Sequence, residues 1–195
     1  MPEPVVHVLT QGNMANRMIQ YLVAARLASL VPHCRVSHVD LPEWGIHHPL
    51  LPETGGAKEL VEGHQVDMAG LMNRLSRGVI ERVELLAYGQ WLGNFPRRED
   101  CARIFPADPD LPGYGPDKLV CSIRGGEILD ARHPDYTLLP ARFYGELAER
   151  FGLGLVFMGQ IEDNPYCEEL ARTFPDAVFR PSEGALADFQ LFRNS

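Results

Sequence analysis

Short apolar runs alternate with longer stretches in which apolar residues recur every three or four positions, which predicts strands and helices in turn. Val5-Val6-His7-Val8-Leu9 is β-branched and predicts a first strand. It runs into the polar turn Thr10-Gln11-Gly12-Asn13 and then a helix over residues 14–30. In that helix Met18, Tyr21, Leu22, Ala25 and either Ala28 or Ser29 fall at helical spacing, and Pro32 ends it. Residues 35–39 predict a second strand. Residues 40–56, rich in proline, glycine and histidine, predict a long loop. Residues 66–77 predict a strand end or a turn leading into a short helix, with Leu71, Leu75 and Met72 as its inward candidates and Gly78 closing it. Residues 79–88 alternate as a third strand, 89–96 are turn-rich, and 97–105 predict a helix.

Residues 106–117 hold Pro106, Pro109, Pro112, Gly113, Gly115 and Pro116, and divide the chain into an N-terminal half (1–105), a linker and a C-terminal half (118–195). The second half repeats a plain rhythm. A strand over 118–124 leads to a loop, then a helix over 140–151 with Pro140 in its first turn. A strand over 155–158, a helix over 165–174, a strand over 177–180 and a last helix from Ser182 come next. Strands alternating with helices predict an α/β fold with parallel sheets covered by helices on both faces. With three strands, the second half reads as incomplete, as if the parent protein continued.

Ligands of open parallel sheets bind at the carboxyl ends of the strands. Those ends would deliver Arg124, Gly159-Gln160 and Arg180-Pro181-Ser182 to one edge. In Ser122-Ile123-Arg124-Gly125-Gly126-Glu127 the arginine stops the strand and two glycines let a ligand approach. A guanidinium there suits a phosphate, because its planar fork makes paired charged hydrogen bonds. Equally, it suits an ion pair with a surface carboxylate. The first strand, loop and helix offer either a second anion site, with helix N–H groups and the side chains of Asn13 and Asn16, or equally a capped helix whose asparagines serve the turn. The loop is neither a dinucleotide fingerprint nor a phosphate-binding Walker loop.

Composition narrows the classes. Of 195 residues, 45% are hydrophobic, enough for a core, and the net charge of −8 argues against a general nucleic-acid binder. No apolar stretch is long enough to span a bilayer. The N-terminus lacks a basic, then apolar, leader. Cys34, Cys101, Cys121 and Cys167 are far apart and read as thiols of a reducing, cytoplasmic compartment, with Cys121 in the core. His47 and His48 are adjacent, so their side chains point apart in an extended chain and do not chelate one metal. Asp108-Pro109-Asp110 has the letters of a metal motif but reads as a solvated turn.

Taken together and in order, several stretches resemble the bacterial α-1,2/α-1,6-fucosyltransferase superfamily. Ala15-Asn16-Arg17-Met18-Ile19-Gln20-Tyr21 resembles its glycine-asparagine-glutamine-methionine-phenylalanine-glutamine-tyrosine motif. The segment from Ser122 to Glu127 resembles its His-x-Arg-Arg-x-Asp motif, and Asp135-Tyr136, Leu139-Pro140 and Phe143-Tyr144 resemble the family's next segment, just C-terminal to that motif. Ser122 stands where the motif has histidine, Gly125 where it has the second arginine, and Glu127 where it has aspartate. The family's serine-threonine-phenylalanine-serine-tryptophan segment does not occur, and its place would lie after Ser195.

The resemblance implies two Rossmann-like halves of GT-B type, an acceptor-side first half and a nucleotide-sugar-binding second half. It implies metal-independent transfer of fucose from GDP-fucose, as substrate and with no cofactor, to a glycan hydroxyl. Arg124 would contact the β-phosphate and act catalytically with Glu127. Gln11, Gly12, Asn13, Asn16, Arg17, Ser122, Gly125, Gly126, Gln160 and Ser182 would complete the donor site. Glu127, His133 and Asp135 are candidates for the base, each with an alternative role in turn hydrogen bonding. The alternative function is a non-catalytic nucleotide-sugar or glycan-binding protein derived from such an enzyme.

Overall fold

The computed structural model describes residues 3–53, 55–126, 138–161 and 163–195. The chain is mixed α/β, with parallel sheets flanked by helices, and forms two compact units, Met1–Pro106 and Ala107–Ser195. In chain order the first unit holds β1 (Val5–Val8), α1 (Met14–Leu30), β2 (Arg35–Ser37), β3 (Val39–Leu41), β4 (Ile46–His48), β5 (Lys58–Val61), α2 (Met68–Ser76), β6 (Arg82–Leu85) and α3 (Arg98–Ile104). The second holds β7 (Lys118–Arg124), α4 (Ala141–Phe151), β8 (Gly154–Gln160), α5 (Pro165–Thr173), β9 (Val178–Pro181) and α6 (Ala185–Asn194). Among the described residues no helix is long and apolar enough to cross a membrane.

The sheet of the first unit runs β2-β1-β6-β5, with every pairing parallel. Successive side chains of a strand alternate between faces. Register therefore lines up Val6 and Val8 with Val83 and Leu85 on one face, all buried. It lines up Val5 and His7 with Arg82, Glu84 and Ser37 on the other. That second face is polar yet covered, and its cover is not a helix. Leu51 N–H donates to Ser37 Oγ at 2.9 Å, Ser37 Oγ donates to Pro49 O at 3.3 Å, and Arg82 Nη1 donates to Leu51 O at 3.5 Å. The expectation of helices on both faces is thus corrected for this unit: α1 and α2 pack as neighbours, and residues 49–51 cross the polar face.

Helix α1 has the predicted length but a different buried stripe: Met14, Met18, Gln20, Val23, Ala24 and Leu27 are inside, whereas Tyr21, Leu22 and Ala25 are half-buried. Apolar residues surround this helix on most sides, so periodicity alone did not select a face. The predicted strand 35–39 breaks at His38, which takes φ 63°. The predicted loop 40–56 contains an antiparallel ribbon, β3 with β4, turned by a 3₁₀ segment at Pro42–Trp44 and by Gly45 at φ 64°. Strand β5 had no apolar signal because it is an edge strand with Lys58 and Leu60 exposed. Asp67 caps α2, accepting from Gly70 N–H at 2.9 Å, and Arg74 of α2 grips Glu59 of β5 through two bonds of 2.7 and 2.8 Å.

The sheet of the second unit runs β7-β8-β9, again parallel. Each crossover steps the same way, and right-handed crossovers then place their helices on one face. Ala141 and Tyr144 of α4 and Cys167 and Leu170 of α5 accordingly meet Ile123 and Phe157 in one cluster. Phe157 is fully buried, with Tyr144, Phe174 and Phe179 rings 5.2 to 5.8 Å away, and its burial contributes about 2–3 kcal/mol. Cys121 packs at the margin of this cluster and is half-buried rather than central. Pro140 is the residue before α4 rather than in its first turn, and Gly152 at φ 65° ends the helix.

The proline- and glycine-rich stretch 107–117 is strapped to α6. Asn194 Nδ2 donates to Asp108 O at 2.7 Å and Leu111 O at 2.8 Å, Gln190 Oε1 accepts from Asp108 N–H at 2.9 Å, and Ser195 Oγ accepts from Tyr114 N–H at 3.1 Å. Asp110 N–H donates to Asp108 Oδ1 at 3.0 Å, so the Asp-Pro-Asp letters form a local turn.

Candidate functional site

In the second unit, register settles which strand-end residues share a face. Ser122 is aligned with Met158, and Met158 with Arg180. One step further, Arg124 is aligned with Gln160. Ser122, Arg124, Gln160 and Arg180 therefore lie on the face opposite the Phe157 cluster, in two adjacent rows at the carboxyl edge. Ser122 and Arg124 are exposed there. Ser182 comes just after β9, its N–H donating to Gly159 O at 2.7 Å. Its hydroxyl is committed inside the chain, donating to Asp188 Oδ2 at 2.6 Å and accepting from Gly184 N–H at 3.2 Å. Arg180 pairs with Glu183 at 3.1 Å and bonds Tyr114. Thus Arg124, Gln160 and Ser122 are placed together, while Ser182 and Arg180 are engaged with α6 and the 107–117 strap.

The glycines after Arg124 have a steric reason. Gly125 N–H donates to Gln160 O at 3.1 Å and its carbonyl accepts from Asn164 Nδ2 at 3.3 Å. A Cβ on Gly125 would lie 2.6 Å from Gln160 O. No side chain fits here without moving β7 away from β8. Gly125→Ala is expected to cost about 1–3 kcal/mol, read as a lower thermal midpoint; an unchanged midpoint would show that the two backbones separate freely. Gly126, partly buried, is the last described residue of this turn. Glu127, His133 and Asp135 lie outside the described residues, as do Asp135-Tyr136 as a pair. Asn164, absent from the sequence-based set, both supports Gly125 and caps α5 by accepting from Cys167 N–H at 2.9 Å; its signal was the Asn-Pro start of a helix.

At the carboxyl ends of the first unit's strands, the sequence-predicted residues divide. Gly12 takes φ 71° directly above the Asn16 side chain, so only glycine fits. Asn13 precedes α1 without a side-chain capping bond. Gln11 N–H donates to Gln20 Oε1 at 3.0 Å, and Gln11 lines a cavity of about 230 Å³ with Glu62, His64 and Tyr88. Arg17 turns away to β3, donating to Asp40 O at 3.2 Å and standing 4.0 Å from Glu43. Gln20, fully buried, was missed as an organiser: its amide also donates to Leu9 O at 3.3 Å and to Leu86 O and Ala87 O at 3.4 Å.

Histidines 47 and 48 diverge as strand neighbours must. His47 Nδ1 is 3.2 Å from Asp40 Oδ1, and His48 Nε2 is 3.2 Å from the Tyr21 hydroxyl. Among the described residues no group of three His, Cys, Asp or Glu converges as a metal site. All four cysteines are unpaired thiols, and burial pushes Cys34 and Cys121 up to about 11, so neither is a thiolate nucleophile at neutral pH. Tyr144 and Tyr166 share a hydroxyl contact of 3.1 Å, with Tyr166 donating to Leu139 O at 2.7 Å. Burial raises both phenols, so this pair serves the core.

No family model matches the chain, and no curated protein or solved structure matches it either. What the fold and site define is a class: a protein with two parallel α/β units, the second presenting an arginine, an amide and a hydroxyl on one face of its carboxyl edge. Such an edge can hold an anionic group by charge and hydrogen bonds.

Proposed function

We propose that the chain is a glycosyltransferase that transfers fucose from GDP-fucose to a glycan hydroxyl without a metal, in the cytoplasm. In this reading its two units are Rossmann-like halves of GT-B type. The observation that supports it best is the shared face of Ser122, Arg124 and Gln160 at the carboxyl edge of β7 and β8. When a glycosyl donor reacts, its bond to the β-phosphate oxygen breaks and negative charge grows on that oxygen. In this reading the Arg124 guanidinium stabilises that charge, since a fixed cation acts most where charge develops. Gln160 is suited to hold a phosphate or ribose oxygen beside it.

Calorimetric titration with GDP, against other nucleoside diphosphates, tests the reading. Heat and a thermal shift with GDP are expected, and their absence would end it. Arg124→Ala is expected to weaken GDP binding and to slow transfer of labelled fucose about 100-fold. If both stay unchanged, the phosphate contact is misassigned.

One observation favours the second reading, a nucleotide-sugar binder without transfer. Gly125 stands in place of the motif's second arginine, and the packing of its backbone on Gln160 O leaves no room for a side chain. GDP binding with no fucose transfer to any glycan of a panel would select that reading.

A further inference from the structure

The turn that follows Arg124 is clamped from two sides. Gly125 is buried and is the first residue beyond β7. Its N–H donates to Gln160 O at 3.1 Å, which ties it to the end of β8. Its carbonyl accepts from Asn164 Nδ2 at 3.3 Å, which ties it to the start of α5. An added Cβ would meet Gln160 O at 2.6 Å, Asn164 Nδ2 at 3.2 Å and Cys167 Sγ at 3.4 Å, so strand, cap and helix close around this one residue. Arg124 immediately precedes it, and Arg124 is exposed at the carboxyl edge in register with Gln160. A side chain that grips a ligand is only as well placed as the backbone from which it extends.

Asn164 does more than a helix cap requires. Its Oδ1 accepts from the N–H of Cys167, the third residue of α5, at 2.9 Å. Asparagine, aspartate and serine cap about equally well through that oxygen alone. The amide nitrogen is surplus to capping, and it is the atom that reaches Gly125 O. The network also fixes which way the amide faces. Oδ1 meets an N–H, and Nδ2 meets a carbonyl, which can only accept. Aspartate has no donor for that carbonyl, and serine has a single oxygen that is already spent on the cap. Asparagine is the one of the three that serves both groups.

We infer that Asn164 is a positioning residue for Arg124: it holds Gly125, and through it the end of β7, so that the guanidinium meets a phosphate in one fixed place. In making that phosphate part of GDP, the inference rests on the proposed function. The hold on Gly125 does not.

The test uses the full chain with Asn164→Ser and Asn164→Asp, which keep a capping oxygen and lose the donor. Hydrogen exchange of the Gly125 amide is expected to be at least tenfold faster in both variants, while the amides of α5 keep their rates. Calorimetric titration with GDP is expected to show about tenfold weaker binding for Asn164→Ser. In an Arg124→Ala background the same substitution is expected to cost nothing further, because it acts through the arginine. A residue that served the fold alone would weaken binding by the same factor in both backgrounds. The inference is overturned if Gly125 exchanges at the wild-type rate in both variants, if α5 loosens as much as Gly125 does, or if the two losses of GDP affinity add. GDP binding that is equal in the wild type and Asn164→Ser removes this inference alone. Faster Gly125 exchange in the variants, with no GDP binding by the wild type, removes the transferase and its phosphate and keeps the hold on Gly125.

Discussion

Replacing Gln20 by leucine is expected to lower the stability of the first unit by about 3 kcal/mol. Leucine matches the buried volume, so the loss is not a cavity. It is the loss of one amide that serves four backbone groups: it accepts from Gln11 N–H and donates toward the carbonyls of Leu9, Leu86 and Ala87. Leu9 comes directly after β1, and Leu86 and Ala87 directly after β6, so Gln20 ties α1 to the carboxyl ends of the two central strands. Leaving a buried polar group without a partner costs about 1–3 kcal/mol, and solvent at the strand ends recovers part of the sum over four groups. Both tryptophans, Trp44 and Trp91, lie in the first unit, so their fluorescence during urea unfolding reports on it selectively. The midpoint is expected to fall by roughly 1–2 M, with an unchanged slope. Gln20→Glu should be as damaging at neutral pH, since an ionised carboxylate cannot donate to the three carbonyls. A loss below about 1 kcal/mol in both variants would mean that water replaces the amide.

Gln20 also shows where the sequence stops being legible. A glutamine inside a helix reads as a solvent-facing residue, and only the tertiary placement of three carbonyls turns it inward. The second unit was legible for the opposite reason. Residues 118–124 and 154–160 are nearly continuous apolar runs bounded by glycine or arginine, the pattern of covered parallel strands; the central strand β8 is buried on both faces at Val156, Phe157 and Met158. Arg124 and Gln160 could be placed at one edge because both positions are set by where those runs end. By contrast, Lys58–Val61 lies at an exposed edge and carries charged side chains, Lys58 paired with Glu84 of β6 and Glu59 with Arg74 of α2, which no apolar pattern announces. The ribbon at residues 39–48 was hidden by its histidines and by Pro42 and Gly45, which signal a turn but not what the turn joins. His38 lay in that shadow. Nothing in its neighbours announces a left-handed backbone, because the conformation is imposed by the change from one sheet to another.

Acid is expected to destabilise the first unit through His7, by up to about 3 kcal/mol between neutral pH and pH 4. His7 is 6% exposed on the polar face of the sheet, and its pKa is lowered from 6.5 to about 4. Burial is the largest cause, because it disfavours the imidazolium; the positive charge of Arg82 and the ring of His38 act the same way, against weaker opposition from Glu84 and Glu53. The unfolded chain thus takes up a proton near pH 6.5 that the folded chain refuses until about 4. Between those values the unfolded state binds more protons, so stability falls as pH falls, and below about 4 this contribution is gone. The structure gives the effect a location: a charged His7 would face Arg82 and lose its neutral stacking with His38, loosening the cover held by Ser37 and residues 49–51. His7→Phe keeps a ring to stack on His38 and removes the titrating group. Tryptophan-monitored urea unfolding at pH 7, 6, 5 and 4 is expected to show a steep decline for the wild type and a flatter one for His7→Phe. Parallel declines would assign the acid sensitivity to groups other than His7.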